Sequence, residues 1–142
     1  MKLKSIFLFV LAITASAVHA QSVLGKWKTV DDKTGVTKSV VEIYEQDGKV
    51  YGKVVEILNK DRQDAVCDQC EGADKNKKIL GLTIIRGLEK DGVEYNDGHI
   101  LDPENGKLYK CYIELEESNK LKVRGYIGFS LIGRSQYWYR VK

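Results

Sequence analysis

The chain has 142 residues and a formal net charge of +3, from 23 basic and 20 acidic side chains. Its length suits one domain with its own core. The two signs of charge are interspersed, which excludes the basic stripe expected of a nucleic-acid-binding protein and gives no support for attraction to a membrane surface. A single proline, 13 glycines and eight tyrosines are typical of strands joined by tight turns.

The N-terminal segment has the three parts of a secretory signal peptide. Two lysines within the first four residues precede an apolar run over residues 6–18, which ends in the small-x-small pattern Val18-His19-Ala20. We therefore expect residues 1–20 to be removed, and the protein to be exported to the periplasm or secreted. Residues 21–142 then form a single β-barrel domain. No later stretch is long and apolar enough to span a membrane.

The first hairpin is predicted around Asp47-Gly48, a dipeptide that favours a two-residue turn with positive φ angles. That turn makes three cross-strand pairs, which are Tyr44 with Tyr51, Glu42 with Lys53, and Val41 with Val54. The second face of this hairpin is apolar, and it sets Gly52 opposite Ile43. Small residues on this inner face favour a cavity inside the barrel.

A long polar segment over residues 59–78 contains the motif Cys67-Asp68-Gln69-Cys70. In an oxidising compartment the two cysteines most simply form a disulfide. Two alternatives remain open: a zinc site completed by Cys111 and His99, or a disulfide from Cys111 to one of the pair. A redox role is disfavoured because the motif does not begin a helix of an α/β fold. We predict no metal and no cofactor.

The second hairpin is predicted around residues 117–119, as a three-residue loop with Asn119 in the left-handed conformation. Its apolar face carries Cys111 opposite Gly125, so Cys111 is expected in the core. The predicted pairs are Glu116 with Lys120, Leu115 with Leu121, Glu114 with Lys122, and Ile113 with Val123.

The opposite face of this hairpin carries tyrosines and an arginine that are candidates for binding a ligand or a partner protein. The same register places Tyr112 opposite Arg124 and Lys110 opposite Tyr126, with the final strand adding Tyr137. Exposed tyrosine and arginine are enriched at binding hot spots. The alternative is ordinary pairing on the surface of a sheet.

Turn signals recur at short intervals through the mature chain, and no segment keeps a helical period. The fold class predicted is all-β, a single antiparallel β-barrel of about eight strands. The motif Gly25-Lys26-Trp27 in the first strand and Arg140 in the last resemble the calycin and lipocalin pattern. In that pattern the arginine packs over the tryptophan and closes one end of the barrel.

Most of the mature chain resembles the bacterial exported family called domain of unknown function twenty-one-forty-seven. The resemblance implies a calycin-like barrel and an envelope location, and it implies no activity. It rests on these segments: Gly25-Lys26-Trp27, Asp31-Asp32-Lys33-Thr34-Gly35, Lys49-Val50-Tyr51-Gly52-Lys53-Val54, Cys67-Asp68-Gln69-Cys70, Gly98-His99-Ile100-Leu101-Asp102-Pro103-Glu104-Asn105-Gly106-Lys107, Lys122-Val123-Arg124-Gly125-Tyr126-Ile127-Gly128 and Gly133-Arg134-Ser135-Gln136-Tyr137-Trp138.

Two functions follow as expectations. The first is a non-enzymatic protein that binds a small apolar ligand at the barrel mouth. The second is a protein-interaction or envelope-structural module whose barrel is filled and whose outer face contacts an envelope protein. No catalytic residues are predicted, because His99 has no serine, aspartate or cysteine in a motif-level relation to it. We therefore expect that the protein is not an enzyme.

Overall fold

Eight antiparallel strands follow one another around a closed barrel, and β8 returns to pair with β1. The computed structural model describes residues 22–142, so the predicted signal peptide lies outside the described residues. The prediction of an antiparallel barrel of about eight strands is confirmed. The strands are β1 (Gly25–Val30), β2 (Thr37–Gln46), β3 (Lys49–Ile57), β4 (Thr83–Asp91), β5 (Glu94–Leu101), β6 (Leu108–Glu117), β7 (Lys120–Tyr126) and β8 (Gly133–Arg140).

The two ends of the barrel are built differently. The connections β2–β3, β4–β5 and β6–β7 at one end are two-residue turns. At the other end, the mouth, longer loops join the strands. The longest is the β3–β4 loop over residues 58–82, which contains two short 3-10 turns, Lys60–Arg62 and Gly72–Asp74. Within residues 22–142, the longest helical segments are these single turns, and none is a candidate to cross a membrane.

The first hairpin has the predicted register. Asp47 and Gly48 have φ angles of 53° and 78°, as a two-residue turn of this kind requires. The rings of Tyr44 and Tyr51 stack with their centroids 5.9 Å apart on the outer face. Val41, Ile43 and Val54 are buried on the inner face.

The second hairpin differs from the prediction at its tip. Glu117, and not Glu116, pairs with Lys120, and a bulge between the Glu117 and Leu115 pairs takes up the odd residue. The turn therefore shortens to Ser118 and Asn119, and Asn119 does not have the predicted positive φ. Beyond the bulge the predicted pairing is confirmed, and Cys111 lies opposite Gly125 and is fully buried.

Large aliphatic side chains fill the barrel towards the end with short turns. Gly52 is part of this packing, because a Cβ atom there would lie 3.1 Å from the Cβ of Ile85 and 3.2 Å from Cγ1 of Val41. The space beside Gly52 is therefore occupied by the Ile85 side chain. Fully buried residues here include Ile43, Ile85, Leu88, Ile113 and Leu121.

Candidate ligand-binding site

One end of the barrel is closed by Trp27 and Arg140. The guanidinium of Arg140 lies 4.3 Å from the ring centroid of the fully buried Trp27, a favourable cation–π distance. The same guanidinium donates hydrogen bonds to the backbone carbonyls of Ser22 (2.7 Å), Leu24 (2.9 Å) and Ser118 (3.0 Å). It thereby ties the N-terminal segment and the β6–β7 turn together beneath the tryptophan.

A cavity of about 460 Å³ occupies the other half of the barrel and opens at the mouth. This volume lies within the range of pockets that hold small molecules, about 300–1,000 Å³. Trp138 forms part of its inner wall. The apolar lining includes Val54, Ile79, Ile84, Ile100, Val123 and Trp138.

Polar groups enter the cavity at the rim, from the β5–β6 loop, and along the wall where β1, β2 and β8 meet. The hydroxyl oxygens of Thr29 and Ser39 lie 2.7 Å apart, and Oε1 of Gln136 accepts a hydrogen bond of 3.3 Å from Nε1 of Trp138. In the described part of the chain, β1 and β8 pair at two positions, both near the closed end. Nearer the mouth, backbone pairing does not join β1 to β8. There, Thr29 of β1 and Gln136 of β8 face the cavity.

The β5–β6 loop, residues 102–107, covers part of the mouth. Nζ of Lys38 lies 3.1 Å from a carboxylate oxygen of Asp31 and 2.9 Å from one of Glu104. Asp31 belongs to the β1–β2 loop and Glu104 to the β5–β6 loop, and these two loops are on opposite sides of an eight-stranded barrel. Lys38 thus links two sides of the mouth.

The charges of this bridge shift the pKa values of its members. Backbone N–H groups of Thr34 and Lys33 and the ammonium of Lys38 hold the pKa of Asp31 well below its ordinary value, with Thr34 the largest influence. For Lys38, burial lowers the pKa, but the bonds to Glu104 and Asp31 outweigh burial and raise it. Both groups are therefore held in their charged forms.

The predicted disulfide between Cys67 and Cys70 is confirmed, with the two Cα atoms 5.3 Å apart. Both cysteines are buried, and their turn packs under the β5–β6 loop. The contact is so close that a Cβ atom on Gly106 would lie 1.9 Å from the carbonyl oxygen of Gln69, and Gly106 also has a φ of 71°. The disulfide turn therefore supports the loop that covers the mouth.

The other arrangements considered for the cysteines are not found. Because Cys67 and Cys70 are bonded to each other, Cys111 is a free thiol, and burial raises its pKa to about 12. Between residues 22 and 142, no cluster of three or more His, Cys, Asp or Glu side chains is arranged to hold a metal ion. Cys111 is part of the barrel core.

The predicted binding residues on the outer face lie together on β6, β7 and β8. The rings of Tyr112 and Tyr126 are 6.3 Å apart, and Lys120 lies 4.7 Å from the ring of Tyr137. Arg124 donates hydrogen bonds to the carbonyl of Ser130 (2.8 Å) and to Oγ of Ser135 (3.0 Å). Of the four predicted residues, Tyr126 also borders the cavity. Their role in binding remains a prediction.

Most residues that line the cavity were not among the predicted binding residues. Thr29 lies two residues after Trp27, so strand alternation places both on the inner face, and a hydroxyl there was a detectable signal. The contributions of Ile79 and Glu104 had no such signal, because they depend on how the long loops fold over the mouth.

A closed eight-stranded barrel with one packed end and one open end is a lipocalin-like fold. The fold is similar to that of protein HP1028 from Helicobacter pylori, a solved structure described as belonging to the lipocalin family. The TM-score is 0.76 and the identity 17%, over 87% of this chain and 85% of that chain. At this identity the likeness concerns the fold alone.

The chain belongs to the family DUF2147, described as an uncharacterized protein conserved in bacteria, which matches residues 25–140. A search of curated proteins found no match. The family resemblance read from the sequence is thereby confirmed, together with the lipocalin-like fold.

Proposed function

We propose that the protein is a non-enzymatic binding protein that holds a small, mostly apolar ligand in the cavity at the barrel mouth. The observation that carries this proposal is the cavity of about 460 Å³, whose exposed lining is more apolar than polar and includes aliphatic side chains and Trp138. Burial of apolar ligand surface against such walls supplies the driving force for binding.

The ligand that fits this lining is apolar over most of its surface and carries one or two polar atoms. The hydroxyl pair of Thr29 and Ser39 and the amide of Gln136 offer hydrogen bonds on one wall. A polar group of the ligand placed against this wall would fix its orientation, as sparse polar groups do in apolar pockets. Lys38 at the rim is already engaged by two carboxylates.

The cavity favours a ligand-binding protein over a module with a filled barrel. Ile85 and Val41 pack closely around Gly52, whereas Val54 and Ile100 border volume that no side chain fills. Unfilled volume costs stability, and a binding function explains why it is kept.

Export is also part of the proposal. It rests on the N-terminal residues 1–20, whose charged start, apolar run and small-residue end match a signal peptide. N-terminal sequencing of protein recovered from the envelope tests it, with Gln21 expected as the first residue. Recovery of the uncleaved chain from the cytoplasm would exclude export.

Fluorescence titration with the apolar probe N-phenyl-1-naphthylamine tests the binding function. We expect saturable binding by the wild-type protein, and at least about a tenfold weaker affinity for Val54→Phe, because the added ring occupies the cavity. The matched control is Val54→Ala, which enlarges the cavity at the same position and is expected to keep the affinity within about threefold. Absence of saturable binding, or equal affinity for the two variants, would reject the cavity as the site.

A further inference from the structure

The β7–β8 loop, residues 127–132, exposes large apolar side chains at the barrel mouth. Leu131 is 85% exposed and Phe129 60%, and Ile127 and Ile132 are both more than half exposed. Scattered single apolar residues on a surface are ordinary, but four within six consecutive residues form a patch of the kind that marks an interaction site.

The loop is held in this shape by its own backbone and by two cations. Ile127 N–H donates to the carbonyl of Ile132 (3.0 Å), so the loop closes on itself. Arg124 donates to the carbonyl of Ser130 (2.8 Å), and Lys110 donates to that of Gly128 (3.2 Å). These hydrogen bonds satisfy the polar backbone of the loop and leave Phe129 and Leu131 exposed at its tip.

The loop is continuous with the cavity. Ile127 and Ile132 line the cavity at its rim, while Phe129 and Leu131 do not contribute to the lining. A surface that covers Phe129 and Leu131 would therefore lie directly over the entrance of the cavity.

Basic side chains lie next to this loop. Lys110 and Arg124 bind its backbone carbonyls, and Arg134 follows it at the start of β8. Nε of Arg134 lies 3.2 Å from a carboxylate oxygen of Asp32, which belongs to the β1–β2 loop. Acidic side chains border the loop on the β5 side, where Glu94 and Asp97 share a surface depression with Ser130.

We propose that the β7–β8 loop docks the barrel mouth on an anionic lipid surface, with Leu131 and Phe129 inserted among the acyl chains. Apolar side chains at such a site supply insertion energy, and nearby basic groups attract anionic head groups. Tyr126, which directly precedes the loop at the end of β7, would lie at the depth where tyrosine is enriched in membrane proteins.

The shape of the patch favours a lipid surface over a protein partner. A stable protein interface buries about 800 Å² on each partner, which a six-residue loop tip cannot provide alone. A lipid surface needs no complementary shape, and a protruding apolar tip is sufficient to enter it. This inference goes beyond the proposed ligand binding, and it requires no ligand in the cavity.

Vesicle co-sedimentation tests the proposal, using protein purified from cells that express the full chain. We expect binding to vesicles of phosphatidylglycerol and phosphatidylethanolamine, weaker binding to phosphatidylcholine vesicles, and weakening by added salt. Leu131→Asp should reduce vesicle affinity at least about tenfold, because a carboxylate replaces the leucine that would insert among the acyl chains. The matched control is Val93→Asp, since Val93 is 75% exposed in the β4–β5 turn at the opposite end.

The outcomes separate this inference from ligand binding. If Leu131→Asp loses vesicle binding and still binds N-phenyl-1-naphthylamine, docking is supported independently of the cavity. If the wild-type protein does not sediment with anionic vesicles, or if Leu131→Asp and Val93→Asp sediment equally, the docking proposal is overturned. Concentration-dependent dimers in the absence of lipid that Leu131→Asp abolishes would also overturn it in favour of a second copy of the chain.

Discussion

The closed end and the mouth of the barrel are formed by the same eight strands, yet one is packed and the other is hollow. At the closed end, Trp27, Leu88 and Leu121 are fully buried, and the turns that join the strands are short. At the mouth, residues such as Thr29 and Val54 face a cavity, and longer loops cover it. Strand pairing therefore does not decide whether a barrel is filled. The size of the inward side chains at each level does.

The two ends of the barrel are stabilised in different ways. Burial of large side chains at the closed end supplies most of the hydrophobic stabilisation, since the free energy scales with the apolar area removed from water. The mouth can then keep unfilled volume because its loops are held by other means, the Cys67–Cys70 disulfide and the bridge from Lys38 to Asp31 and Glu104.

The largest effect is expected where the closed end is broken. Trp27→Ala removes a fully buried ring and leaves Arg140 without its cation–π contact, so the free energy of unfolding should fall by about 3–5 kcal/mol. Urea denaturation measures this loss. The control Tyr139→Ala removes an exposed aromatic ring from the neighbouring strand and should cost less than about 1 kcal/mol. Equal losses would mean that the Trp27 end is not the packed one.

Substitutions that enlarge an inward side chain distinguish the packed part of the barrel from the part that borders the cavity. Gly52→Val places methyl groups against Ile85 and Val41, and should lower the free energy of unfolding by about 1–3 kcal/mol. Val54→Leu adds a methylene group next to the cavity and should cost less than about 1 kcal/mol. Thermal and urea unfolding of both variants provide the comparison, and a larger loss for Val54→Leu would contradict the assignment of packed and hollow halves.

Breaking the disulfide should loosen the mouth more than the barrel. The ring that Cys67 and Cys70 close is short, so its loss should lower the free energy of unfolding by at most about 2 kcal/mol. Reduction of the wild-type protein with dithiothreitol should also speed proteolysis of the β3–β4 and β5–β6 loops. The Cys67→Ala/Cys70→Ala variant is the control, and any response of that variant to dithiothreitol would show that the effect is not due to this bond.

The smallest effect concerns Asp31 at acidic pH. Its pKa is depressed in the folded protein, so its stabilising contribution is present above the unfolded value of about 4 and is lost as pH falls through the folded value. We expect carboxyl NMR to show Asp31 still ionised at about pH 3, with the β1–β2 loop retained. Protonation of Asp31 at an ordinary pKa would show that Thr34 and Lys38 do not hold its carboxylate.

The parts of this structure that could be predicted from the sequence are those that depend on residues close together in the chain. The turn at Asp47-Gly48 and the alternation around it determine the β2–β3 register, because a shift by one residue would expose Val41 and Val54. The Cys67–Cys70 disulfide is equally local. The β6–β7 turn was predicted one residue too long because the bulge near Glu116 depends on the whole strand pair.

The cavity at the mouth could not be predicted from local sequence in this way. Its volume depends on where Ile79 and Glu104 are placed by long loops, and these positions follow from contacts between distant segments such as Gly106 with Gln69. The inward positions of Thr29 and Val54 follow from alternation, but whether the space between them is filled does not.

Methyl NMR of isoleucine-labelled protein tests the central claim that the mouth binds and the closed end only packs. The chain has isoleucines on and off the cavity wall, with Ile79, Ile84 and Ile100 lining the cavity and Ile43, Ile85 and Ile113 buried outside its lining. On titration with N-phenyl-1-naphthylamine, we predict that the δ1-methyl signals of the first three shift in a saturable manner and those of the other three change little. Shifts confined to Ile43, Ile85 and Ile113, or no saturable shift at any isoleucine, would contradict the account.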